Sequence, residues 1–221
     1  MSAISTDYVD AIAHLPAGAA LRIDNVSWDE YEQLLTELGE DYKVRIFYDQ
    51  GRMEIMAPAS AHEKPKSILH RLLTALSDEL DIDIESLGST TFKAEMKAKG
   101  AEPDDCFYIQ NARRVIGKQD LDLRHDPPPD LVIEIDRTNS SMNKLPIYAG
   151  LGVPEIWRLS GRQIQIYLLT EGRYELSTVS RAFPFLSALT LSEFIAQGLA
   201  EGERKCARAF RAWIRHTGLP G

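Results

Sequence analysis

Three consecutive prolines, Pro127, Pro128 and Pro129, followed by Asp130-Leu-Val-Ile-Glu134-Ile-Asp136, constrain this chain more than any other stretch. Each proline fixes φ and lacks an N–H, so the approach is extended and cannot be helical. The short, β-branched apolar run behind it predicts a buried strand. Inside that run stands Glu134, with apolar neighbours on both sides. Burying its carboxylate costs several kcal/mol unless it is paired or bound to a metal, so chemistry is expected around Glu134.

The segments after this strand fix its surroundings. Residues 140–151 read as a helix whose start Pro146 confines to about 141–143, and 155–159 read as the next strand. A strand, a short helix and a second strand favour a parallel pair joined right-handedly. Upstream, Ser27 and Glu30 form a capping box before the apolar face Tyr31, Leu34, Leu35 and Leu38, and Gly39 ends that helix. Residues 44–48 and 53–56, split by Asp49-Gln-Gly-Arg52, predict a hairpin. Ile68, Leu72, Leu76 and Leu80 mark the longest helix, which Pro65 starts near 61–63. Short strands are expected at 82–86, 89–93 and 103–109, with a charged loop at 95–100 and a further loop at 111–124. Strands at 163–168 and 174–177 and helices at 190–197 and 201–216 close the chain. The pattern predicts an α/β (α+β) fold: a mixed β-sheet flanked by helices, with an N-terminal hairpin and C-terminal helices. Residues 1–24 are read as an arm that holds a short helix, 25–189 as the core, and 190–221 as a helical extension of the same domain.

The 221 residues, 44% of them hydrophobic, suffice for one sizeable core. The net charge of −8, from 33 acidic and 25 basic residues, confines any nucleic-acid surface to a local patch. Cys106 and Cys206 belong to no metal-binding or redox spacing, no secretory signal opens the chain, and no stretch nears the roughly 18 apolar residues of a membrane span. A cytoplasmic protein is expected.

Four side chains form a constellation: Glu63 at a helix start, Asp104 opening a strand, Glu134 in the central strand, and Lys144 at the next helix start. Carboxylates select hard cations such as Mg²⁺, and a lysine beside such a cation has its pKa lowered, fitting it to deprotonate or orient water. Each has a plainer reading. Glu63 closes a capping box from Ser60, Asp104 is a turn residue with Asp105 its solvated neighbour, and Lys144 is an exposed helix lysine. His62 and Asp130 read as packing and turn residues, and Tyr148 and Trp157 as core aromatics.

Pro103-Asp104, the run 130–136, and Lys144-Leu-Pro-Ile-Tyr148-Ala-Gly-Leu-Gly152-Val-Pro-Glu155-Ile-Trp157 together resemble the Uma-type restriction endonuclease family of bacteria, within the PD-(D/E)XK nuclease superfamily. The likeness takes in His62-Glu63, residues 86–92 and 183–186, and spans about 25–215. It implies a metal-dependent endonuclease acting on nucleic acid, DNA before RNA, with Asp104, Glu134 and Glu63 as ligands of Mg²⁺ or Mn²⁺ and Lys144 as a catalytic lysine displaced onto the helix. Many nucleases of that superfamily form homodimers to cut both strands, and the sequence leaves the oligomeric state open. One departure stands out: the superfamily's lysine two residues after the glutamate is Asp136 here. That replacement keeps an alternative open, a catalytically silent binding or scaffold protein on the same fold.

Overall fold

The computed structural model describes residues 4–39, 42–58, 63–118, 120–136 and 143–217. Its helices are α1 (Ile4–Ala13), α2 (Trp28–Leu38), α3 (Glu63–Leu80), α4 (Ala112–Val115), α5 (Leu145–Leu151), α6 (Ala188–Glu201) and α7 (Glu203–His216). The strands are β1 (Ala20–Asp24), β2 (Arg45–Asp49), β3 (Arg52–Met56), β4 (Glu85–Ser86), β5 (Phe92–Ala94), β6 (Lys99–Ala101), β7 (Asp105–Tyr108), β8 (Leu131–Asp136), β9 (Glu155–Ser160), β10 (Gln163–Thr170) and β11 (Arg173–Ser177).

The strands form two sheets, ordered β1-β3-β2-β6-β5 and β11-β10-β9-β8-β7-β4. The second is mixed: β8 runs parallel to β9 and antiparallel to β7, as the strand–helix–strand pattern requires. Glu102, Pro103 and Asp104 carry the chain from β6 in the first sheet to β7 in the second. The proline has no N–H to leave unpaired at that crossing.

Three apolar clusters stack in layers. α3, α6 and α7 cover one face of the six-stranded sheet through Leu69, Leu73, Ile195 and Phe210, meeting Leu131, Ile133 and Trp157. On its other face Ile147 and Tyr148 of α5 fill the space toward the five-stranded sheet, against Val132, Ile156, Phe47 and Phe92. The far face of the five-stranded sheet packs Ile46, Tyr48 and Ile55 against Tyr31 and Leu34 of α2 and Ile12 of α1.

The fold class agrees with the sequence reading, with local differences. The Ser27–Glu30 capping box forms in full, and Gly39 caps α2. The β2–β3 turn needs left-handed backbone at both Gln50 (φ 50°) and Gly51 (φ 88°), which the glycine takes without strain. β1 escaped the sequence reading, being a short edge strand of alternating exposure that gains its structure by pairing with β3. β6 lies in what reads as a charged loop, because Lys99-Gly-Ala101 has no apolar run and is held by neighbours on both sides, β2 and β5. α4 is a single turn within the expected loop 111–124. The helix expected over 140–151 is α5, with Lys144 as its N-cap; residues 140–142 lie outside the described residues, as do Ser60 and His62. No helix among the described residues is long and apolar enough to cross a membrane.

Candidate active site

Strand alternation sorts the side chains of β8. Leu131, Ile133 and Ile135 face the α3 layer, and Val132 and Glu134 face α5. Asp105 of β7 pairs with Ile133, so continuing the register by one residue sets Asp104 beside Glu134 on the α5 side. Asp104 is buried, and its Oδ2 accepts the Ile135 N–H at 2.8 Å, which fixes the carboxylate against the strand. Asp105, read from the sequence as a solvated neighbour, is instead buried and belongs to the opposite face of the sheet.

α5 supplies the partners of Glu134. Lys144 and Tyr148 are one turn apart and reach the same point. The Lys144 ammonium donates to Glu134 Oε2 at 2.6 Å, and the Tyr148 hydroxyl donates to Oε1. Gly152, at φ 86°, ends the helix by donating its N–H to the Tyr148 carbonyl at 2.9 Å. Lys144 is no exposed helix lysine: its side chain is only 11% exposed, and the ammonium lies 4.0 Å from the centre of the Phe47 ring. Phe47 comes from β2, so both sheets contribute to the site.

Two carboxylates face one ammonium, and this surplus of negative charge sets the proton affinities. Burial raises the Glu134 carboxyl above its ordinary range; Lys144 pulls against that shift and Asp104 adds to it. Burial by itself would lower Lys144, but the Glu134 and Asp104 carboxylates outweigh it and hold the ammonium above the usual lysine range. Lys144 beside these carboxylates is a cation; the lowering expected from the sequence concerned a lysine beside a bound metal ion. Burial also drives the Tyr148 hydroxyl well upward, so it serves as a donor. The same charge surplus, on oxygen donors, suits a hard divalent cation.

Asp136 stands where the superfamily carries its lysine, and its carboxylate pairs with Arg158 of β9. Glu63 is exposed in the first turn of α3, on a cleft that includes Asp105 and His70 but neither Asp104 nor Glu134. The structure therefore brings Asp104, Glu134 and Lys144 together and sets Glu63 on the neighbouring cleft. Among the described residues no group of three or more His, Cys, Asp or Glu side chains is arranged to hold a metal ion. Tyr148 and Phe47 escaped the sequence reading as site residues. The four-residue spacing from Lys144 could have disclosed Tyr148, whereas nothing local marks Phe47.

A mixed sheet with helices on its faces is a restriction-endonuclease-like fold. The fold is shared by a crystal structure from Anabaena variabilis ATCC 29413, described as a putative nuclease belonging to DUF820. The two have a TM-score of 0.52 at 17% identity, over 76% of this chain and 97% of that one. The model of the Uma2 family, "Putative restriction endonuclease", matches residues 28–201, and the chain belongs to that family. No curated protein matches the chain.

Proposed function

We propose that this protein is a divalent-metal-dependent nuclease that hydrolyses phosphodiester bonds of nucleic acid, DNA foremost, with Asp104 and Glu134 as the ligands of Mg²⁺ or Mn²⁺. The observation that carries the reading is the buried Glu134 carboxylate, held between Lys144 and Tyr148 and set beside Asp104. A structural ion pair would need one carboxylate for one ammonium; here a second carboxylate remains. Glu63, which the resemblance also offers as a ligand, lines the cleft that includes Asp105 and His70.

A bound Mg²⁺ or Mn²⁺ supplies Lewis acidity at the phosphate and lowers the pKa of its water. The protein's own groups do the positioning. The Ile135 N–H orients Asp104, and Tyr148 and Lys144 fix both oxygens of Glu134. Lys144, which donates to Glu134, is placed to stabilise negative charge growing on the phosphate and to orient the attacking water. Phe47 shields it from solvent, which strengthens that interaction.

Calorimetric titration with Mn²⁺ tests the reading. The unaltered protein binds the ion saturably, and Asp104→Asn and Glu134→Gln each abolish the binding heat. A protein that binds no Mn²⁺, or variants that bind as well as the parent, would support the catalytically silent alternative, to which the Arg158-paired Asp136 points.

A further inference from the structure

α3 and α7 pack along each other and leave a cleft whose lining includes Glu63, Lys66, His70, Arg71, Asp105 and Arg211. Its floor is built around Asp105. That buried carboxylate accepts the Ser86 hydroxyl at 3.2 Å and the Cys106 N–H at 3.0 Å on Oδ1, and Oδ2 lies 3.2 Å from His70 Nδ1. A carboxylate has no proton to donate, so Nδ1 carries the hydrogen and Nε2 is the free nitrogen of the ring. The Phe107 ring, 5.4 Å away centre to centre, supports the imidazole from the sheet side. Half of the His70 side chain nonetheless stays open, at 47% exposure.

Lys66 precedes His70 by one turn on the same face of α3 and makes no ion pair with a described residue. The two arginines of the cleft are already engaged, Arg71 with Glu203 and Arg211 with Asp78 and Glu79. Among the described residues, the charged side chains of the cleft left without an ion pair are thus Lys66, beside the braced imidazole, and the exposed Glu63. An ammonium and a braced imidazole in one cleft suit an anion with several oxygens. The basic character extends beyond the cleft: Arg204 and Arg208 stand exposed at helical spacing with Arg211 on α7, and neither pairs with a described residue. A stripe of this kind on a chain of net charge −8 fits an extended polyanion better than a single small ion.

We propose that the α3–α7 cleft is a phosphate subsite for the nucleic-acid backbone, in which Lys66 and the Asp105-braced His70 hold a non-scissile phosphate and Arg204 and Arg208 continue the track. This deepens the nuclease reading and rests on it for the identity of the polyanion. Consecutive residues of one strand entry serve the two sites from opposite faces of the sheet: Asp104 faces Glu134, and Asp105 faces His70.

The test is binding of a fluorescein-labelled 16-base-pair DNA duplex, followed by anisotropy across a salt series in EDTA, where metal-dependent cleavage plays no part. Lys66→Gln and His70→Gln each weaken binding several-fold. Lys66→Gln also lowers the salt slope by about 1, and the Arg204→Gln/Arg208→Gln pair lowers it by about 2. Lys64→Gln, exposed on α3 but outside the cleft, leaves both unchanged. Thermal unfolding at the parent's midpoint shows that Lys66→Gln retains the fold. No duplex binding by the unaltered protein overturns the proposal, as does a Lys66→Gln variant with the parent's affinity and slope, or a Lys64→Gln variant that loses as much. The parent protein with Mg²⁺ or Mn²⁺ separates the two claims: if it binds no Mn²⁺ and cleaves neither DNA nor RNA while Lys66→Gln still loses the duplex, the nuclease reading fails and the subsite stands.

Discussion

Glu134 is tolerated inside a strand because α5 brings an ammonium and a hydroxyl to its two oxygens. Lys144→Met strips the ammonium and leaves a buried carboxylate without its charge partner. It is expected to cost about 3–5 kcal/mol in urea unfolding, and replacing Glu134 by Gln in the same chain should restore part of that loss. A loss below about 1 kcal/mol would show that Glu134 is otherwise compensated. Tyr148→Phe removes a donor to the same carboxylate and is expected to cost about 1.5–3 kcal/mol by the same measurement. Glu134 and Lys144 were legible in the sequence because an acidic residue in an apolar run and a lysine at a proline-limited helix start are local signals. Tyr148 was legible only as an aromatic, since its hydroxyl's partner is set by helix phase. Phe47 was not legible at all, because its place above Lys144 depends on the two sheets facing each other.

At the scale of elements, the capped helix α2 and the β2–β3 hairpin were plain because cap, apolar period and turn residues agree over a few positions. β1 and β6 were obscure because pairing, rather than side-chain pattern, makes them strands. The passage between sheets holds a buried carboxylate of its own. Glu102 accepts the Ile46 N–H at 3.0 Å, the Thr91 hydroxyl at 2.8 Å and the Tyr42 hydroxyl. Burial outweighs these donors and raises its carboxyl above the ordinary 4.5. A raised folded pKa favours the protonated form in the native state. The contribution of Glu102 is thus fully present below the ordinary value and is lost as pH rises through the raised one. Glu102→Gln should therefore gain on the parent in urea midpoint as pH rises above about 4.5. A difference that is flat with pH, or that widens in the parent's favour, would contradict this assignment. On the other side of the molecule α6 approaches α3 at Gly198, where an added Cβ would sit 2.9 Å from Ile68 Cδ1. Gly198→Leu overpacks that crossing and is expected to cost about 1–3 kcal/mol in the same unfolding assay.

Over the whole molecule, the chain's route through two sheets explains why the site lies where it does. The 102–104 crossing delivers Asp104 to the face of β8 that carries Glu134, and the parallel β8–β9 connection returns through α5, which carries Lys144. Family membership and the shared fold give the class of protein, restriction-endonuclease-like. The central claim is tested most directly by incubating supercoiled plasmid DNA with the purified protein in Mn²⁺ and comparing it with Glu134→Ala. The account predicts nicked and linear products from the parent and a rate more than about 10–100-fold lower from the variant, the loss that mutating even an outer-shell partner of a metal site brings. Equal cleavage by both proteins would contradict it, as would a parent that leaves both DNA and RNA intact in Mn²⁺ and in Mg²⁺.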